Sequence, residues 1–137
     1  MRNNFGPNDG DPPISNSLRS SDPISQMSIP TLIDLLQWRA RQKVDERLYT
    51  YLTDGETEGA YLTYRELDRQ ARAIAAHLQT LNVAGERALL LYPTGLDFIA
   101  AFFGCLYAGV IAVPTTTPHL SRPDLRFQTI VQDAQPA

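Results

Sequence analysis

The stretch Arg87 to Pro118, RALLLYPTGLDFIAAFFGCLYAGVIAVPTTTP, decides the fold. A short apolar run, Arg87 to Tyr92, gives way to a Pro-Thr-Gly turn signal. A longer apolar segment, about Leu96 to Ala108, stops at Gly109, where a helix commonly ends. A second short run, Val110 to Val113, follows. Both short runs are continuously apolar, as in parallel strands covered on both faces. The order strand, helix, strand predicts a right-handed βαβ crossover in an α/β protein. The helix is apolar all round, which places it between two layers. Phe98, Phe102, Phe103 and Leu106 are expected to be buried there, each stabilising the fold by ~1.5–3 kcal/mol.

Four helix starts share one signature, a hydroxyl residue followed three positions later by an acid. They are Thr31 with Asp34, Thr63 with Glu66, Thr94 with Asp97, and Ser121 with Asp124. The hydroxyl accepts from an orphan first-turn N–H, and the acid reaches back or complements the helix dipole. The first helix, about Thr31 to Gln42, sets Leu32, Leu35 and Leu36 on one face. The second, about Tyr64 to Leu81, carries the stripe Leu67, Ala71, Ile74, Ala75, Leu78 and Leu81. The fourth, about Pro123 to Ala134, groups Phe127, Ile130, Val131 and Ala134, with Pro123 tolerated in its first turn. Between the first two helices, Leu48 to Thr53 and Ala60 to Thr63 predict an antiparallel hairpin across a six-residue polar connection.

Residues 1–28 are rich in Asn, Ser, Pro and Asp and poor in aliphatics, and read as a disordered tail. The whole chain has 137 residues, is 43% hydrophobic and carries a net charge of −3. Nothing in it forms a basic stripe, which argues against a nucleic-acid partner. Arg65, Arg69 and Arg72 lie at helical spacing, but Glu66 and Asp68 sit among them, as on a solvated face. The longest apolar run, Phe98 to Val113, is shorter than the ~20 residues of a membrane span. No signal-peptide pattern opens the chain. A single Cys105 excludes an internal disulfide and suits a reducing cytoplasm.

The wording of two blocks is more specific. LTYRELDRQARAIAAHLQ, Leu62 to Gln79, resembles the first core motif of adenylate-forming enzymes. GCLYAGVIAVP, Gly104 to Pro114, resembles their second. That superfamily includes acyl-CoA synthetases, peptide-synthetase adenylation domains and luciferases. The longer wording ALLLYPTGLDFIAAFFGCLYAGVIAVP, the opening TLIDLLQWRA and the hairpin YTYLTDGETEGAYLTY are similar to fatty-acyl-AMP ligases. Thr115 to Thr117 depart from the proline-rich, aromatic-bearing run that relatives often carry there.

The resemblance implies an α/β fold, the N-terminal part of an adenylate-forming large domain. It would contain the hairpin, a parallel βαβ unit and about four helices, with residues 29–137 as a truncated AMP-binding segment. The implied reaction is ATP- and Mg2+-dependent conversion of a fatty acid to an acyl-adenylate. Transfer to an acyl carrier protein of a polyketide or peptide synthetase would follow. An acyl-CoA synthetase fragment using coenzyme A, a peptide-synthetase fragment, a non-catalytic assembly module and a flavodoxin-like domain are the alternatives.

No catalytic, cofactor-binding or metal-binding residue is assigned. The family's phosphate loop, adenine-facing aromatic, ribose-binding acid and catalytic lysine have no counterpart in these residues. Gly104 and Gly109 have P-loop spacing, but Val110 and Ile111 stand where Lys-Ser/Thr is required. Thr115 to Thr117 follow a strand's carboxyl end, a common ligand position, and otherwise read as loop hydroxyls. Cys105 sits in an apolar helix, and His77 and His119 lie far apart, so neither a nucleophile nor a metal site is indicated. No G-x-S-x-G elbow is present.

Two parallel strands and one hairpin leave sheet edges open. The isolated chain is therefore expected to be poorly stable and to self-associate. A light-scattering concentration series should show growing mass, and a thermal melt should be broad; a monomer with one sharp transition would contradict this.

Overall fold

The computed structural model describes residues 31–118 and 125–137. The element order is α1 (Leu32–Gln42), β1 (Arg47–Leu52), β2 (Glu58–Thr63), α2 (Tyr64–Thr80), β3 (Arg87–Leu90), α3 (Leu96–Ala108), β4 (Ile111–Pro114) and α4 (Leu125–Ala134). β1 and β2 pair antiparallel, and β3 and β4 pair parallel, as two separate sheets. The expected α/β arrangement is therefore present. The tail over 1–28, the Ser121–Asp124 cap, Pro123 and His119 lie outside the described residues.

Two helix starts follow the sequence signature. The Thr31 hydroxyl accepts from the Asp34 N–H at 3.1 Å. Thr63 and Glu66 form a complete capping box. The Glu66 N–H donates to Thr63 Oγ1 at 3.2 Å, and the Thr63 N–H donates to Glu66 Oε2 at 2.9 Å. The Thr63 N–H foremost, and then the Thr63 hydroxyl, which donates to the same Oε2 at 2.9 Å, hold the Glu66 carboxyl below its ordinary pKa.

Thr94 does not cap α3. Gly95 occupies the N-cap in an extended conformation, with no side-chain hydrogen bond. The helix begins at Leu96, so Thr94 stands one residue too early to reach the first-turn amides. The other end of α3 is a full Schellman stop. Gly109 takes φ +70, its N–H donates to Leu106 C=O at 3.2 Å, and the Val110 N–H donates to Cys105 C=O at 2.9 Å. Val110 is thereby used in ending the helix, and β4 starts at Ile111 instead. β3 is shorter than expected too, since Leu91 and Tyr92 leave the ladder and are exposed.

The hairpin is also shifted. Its connection spans 53–57, five residues rather than six, because Glu58 and Gly59 join β2. Asp54 drives this by accepting from the Glu56 and Thr57 amides at 3.0 and 2.6 Å. These bonds, with the Thr57 amide and then its hydroxyl contributing most, lower the Asp54 carboxyl from 3.8 to about 2. Across the strands Arg47 pairs with Glu58 at 3.0 Å and lies 4.2 Å over the Tyr61 ring.

α3 sits between α2 and the parallel pair. Ala75, Ala101, Cys105, Ala108, Leu90 and Val110 form one buried cluster. A second gathers Leu36, Leu62, Leu67 and Ala100 under α1 and the hairpin. The α2 stripe is buried through Leu67, Ala71 and Ala75, while Leu81 falls beyond the helix and is 56% exposed. Of the α1 face only Leu36 is buried.

The aromatic residues of α3 overturn the burial expectation. Its buried positions are Ala100, Ala101, Gly104, Cys105 and Ala108, whereas Phe98, Phe102, Phe103 and Leu106 are half-buried. Small residues let α2 and α3 approach closely, and that contact turns the large side chains to the flanks. Phe102 and Phe103 meet edge to face at 5.9 Å.

Gly104 marks the tightest point. A Cβ there would lie 2.5 Å from Ile74 Cγ2 and 2.7 Å from Ile74 Cβ. Gly104→Ala should cost about 1–3 kcal/mol through overpacking, measured as a lowered denaturant midpoint. Gly95→Ala, where nothing lies within 4 Å, should cost less than about 1 kcal/mol; equal losses would refute the packing account.

Candidate functional site

In open α/β sheets, ligands collect beyond the carboxyl ends of parallel strands. Here both β3 and β4 direct their chains to one such end. The loop after β3 contains Leu91, Tyr92, Pro93 and Thr94; the loop after β4 contains Thr115 to Thr117. The Thr115 N–H donates to Leu90 C=O at 3.3 Å, which ties the second loop to the end of β3.

A cavity of about 310 Å³ opens beside the first loop. Tyr92 lines it from the strand-to-helix connection, Asp97 and Ala100 from α3, and Gln70, Ala73 and Ile74 from α2. Thr115 to Thr117 do not line it. The sequence reading missed Tyr92 and Gln70 as cavity residues. Position beyond a strand end was the available signal for Tyr92; for Gln70 there was none, because its place depends on how α2 crosses α3. The cavity offers a phenol, an amide and a carboxylate. It can bind by hydrogen bonds, but it holds no nucleophile and base in contact.

A second cavity, about 300 Å³, lies between α1, β1 and α3. Leu32, Leu35, Leu36, Leu48, Tyr64 and Phe103 make it mostly apolar, with Arg39 at its margin.

The remaining candidates are structural. Gly104 and Gly109 serve close packing and a helix stop, not a phosphate cradle. Cys105 is 2% exposed, and burial pushes its thiol above the ordinary pKa. His77 is exposed on α2. Arg65 and Arg69 are exposed, while Arg72 donates to Asp68 Oδ2 at 2.8 Å. The Tyr107 hydroxyl donates to the same carboxylate at 2.7 Å, and Arg72 lies 5.7 Å over its ring. Burial, then the bond to Asp68, pushes the Tyr107 phenol far above its ordinary pKa. This group fastens α2 to α3.

Among the described residues, no group of three or more His, Cys, Asp or Glu is placed to hold a metal. No glycine-rich loop ends in a Lys-Ser/Thr pair. Nor is any helix among them long and apolar enough to cross a membrane.

Residues 36–137 match the family model of the AMP-binding enzymes. The chain belongs to that family. It is 50% identical over 115 residues to the medium-chain fatty-acid acyl-carrier-protein ligase JamA of Moorena producens, covering 82% of this chain and 19% of JamA. It is 37% identical over 117 residues to the long-chain fatty-acid AMP ligase FadD26 of Mycobacterium tuberculosis, covering 83% of this chain and 20% of FadD26. The solved fatty acid AMP ligase of Legionella pneumophila superposes with a TM-score of 0.70 at 41% identity, over 77% of this chain and 18% of that one. The fold is thus that of the N-terminal part of adenylate-forming enzymes, and the chain spans about a fifth of the curated relatives it matches.

If Cys105 is a packing residue, iodoacetamide should label it slowly in native buffer at pH 8. Unfolding in denaturant should raise that rate by at least about a hundredfold. Equal rates would place the thiol at the surface.

Proposed function

We propose that this chain supplies the N-terminal part of a fatty-acyl-AMP ligase, with residues 29–137 as its AMP-binding segment. The 50% identity to JamA carries this reading, and the 41% identity at TM-score 0.70 to a fatty acid AMP ligase supports it. In the reaction a fatty-acid carboxylate oxygen attacks the α-phosphorus of ATP. The new C–O–P bond forms as the α–β bridging bond breaks, and pyrophosphate leaves. The acyl group then passes from AMP to the phosphopantetheine thiol of an acyl carrier protein.

No step of that chemistry is assigned to the described residues. Their contribution is architectural. They build a stretch of the parallel sheet, the helix that covers one of its faces, and the loops at its carboxyl end. Alone, the segment makes no acyl-adenylate. A reducing cytoplasm fits the single buried thiol.

Grafting residues 31–137 in place of the matched segment of JamA tests the reading. The chimera should release pyrophosphate in response to fatty acids within about tenfold of JamA, with acyl-adenylate visible by mass spectrometry. Holo-carrier protein should accept the acyl group in preference to coenzyme A. A folded chimera that adenylates amino acids, or nothing, overturns the proposal. So does acyl-adenylate made by the isolated chain.

A further inference from the structure

α1 carries an arginine that the described residues leave without an acid. Lys43, Arg47 and Arg72 hold the carboxylates of Glu46, Glu58 and Asp68 at 2.7, 3.0 and 2.8 Å. Arg39 holds none among the described residues, and it differs from the other arginines there in being half-buried rather than exposed. Its guanidinium carbon lies 5.0 Å from the centre of the Trp38 ring, a contact that uses none of its N–H donors. Desolvating a cation without a counter-charge is unfavourable, so the position favours an anion.

The same side chain stands at the margin of the cavity of about 300 Å³ between α1, β1 and α3. Leu35 and Leu36 wall that cavity from α1, Leu48 from β1 and Phe103 from α3. An apolar space with one charged group at its margin has the form of a small-molecule site. The charge fixes the sign of the ligand's head, and the leucines fix the nature of its body. At ~30 Å³ per water-sized group, the space holds about ten heavy atoms, as in a carboxylate of about eight carbons.

We propose that this cavity binds an aliphatic monocarboxylate of about eight carbons, its chain among the leucines and its head on Arg39. A planar guanidinium donates two parallel bonds to a carboxylate, which neither an alcohol nor an amine can match. Recognition needs only α1, the hairpin and α3, whatever reaction the protein serves.

Trp38 is the single tryptophan of the chain, so its emission reports on the neighbouring guanidinium. The test titrates the whole chain with sodium octanoate, sodium hexanoate and 1-octanol. Octanoate should shift the emission saturably. Hexanoate, two methylenes shorter, should bind about fifteenfold weaker, and octanol at least about tenfold weaker. Arg39→Gln should weaken octanoate by about tenfold and leave octanol unchanged. Leu35→Phe, which fills the cavity, should weaken both. Should Arg39→Gln lose its helical circular-dichroism signal, octanoate against octanol on the unaltered chain decides alone. No saturable shift, octanol binding as tightly as octanoate, or undiminished octanoate binding by Arg39→Gln overturns the proposal. So does an octanoate affinity that falls as protein concentration rises, since a second copy of the chain then covers the cavity.

Discussion

The approach of α2 to α3 at Gly104 is the constraint on which the rest depends. An alanine there would collide with Ile74, and the Ala71 carbonyl already lies 3.4 Å from where its methyl would sit. Ala71, Ala75, Ala101 and Cys105 continue the same low-volume seam. Because the helices meet along small residues, both cores form around one crossing. One core reaches the parallel pair through Leu90 and Val110; the other reaches the hairpin and α1 through Leu62 and Leu36. The bond from Tyr107 to Asp68 adds a polar fastening beside this seam, where a phenol and a carboxylate satisfy each other at little exposure.

This architecture explains why an AMP-binding segment is recognisable from its packing residues. Its shared wording, from Leu62 to Gln79 and from Gly104 to Pro114, is the wording of a helix crossing and a helix stop. Gly104 is fixed by clearance and Gly109 by a left-handed backbone.

Much of that framework was legible in the sequence because its causes are local. The limits of α3 follow from Gly109 and the turn residues before Leu96. The start of α2 follows from Thr63 and Glu66, whose bonds span one helical turn. The hairpin follows from two strand-like runs around Asp54-Gly55. What failed needed tertiary information. Thr94 matched the capping pattern, yet the helix began one residue too late for it. Phe98, Phe102 and Phe103 looked like the centre of the core, but the seam of small residues turned them outward. The cavity beside Tyr92 was invisible for a similar reason, since Gln70 comes from a distant part of the chain and only the helix crossing brings it there.

The link across the hairpin shows how two forces can share one side chain. Arg47 offers its charge to Glu58 and its flat face to Tyr61. Added electrolyte weakens the first attraction, because both partners stand largely in water. Stacking on the ring is short-ranged and far less sensitive to dissolved ions. In brine, then, the guanidinium would release the carboxylate and keep the aromatic, so the two strands would stay clasped after their ion pair had dissolved.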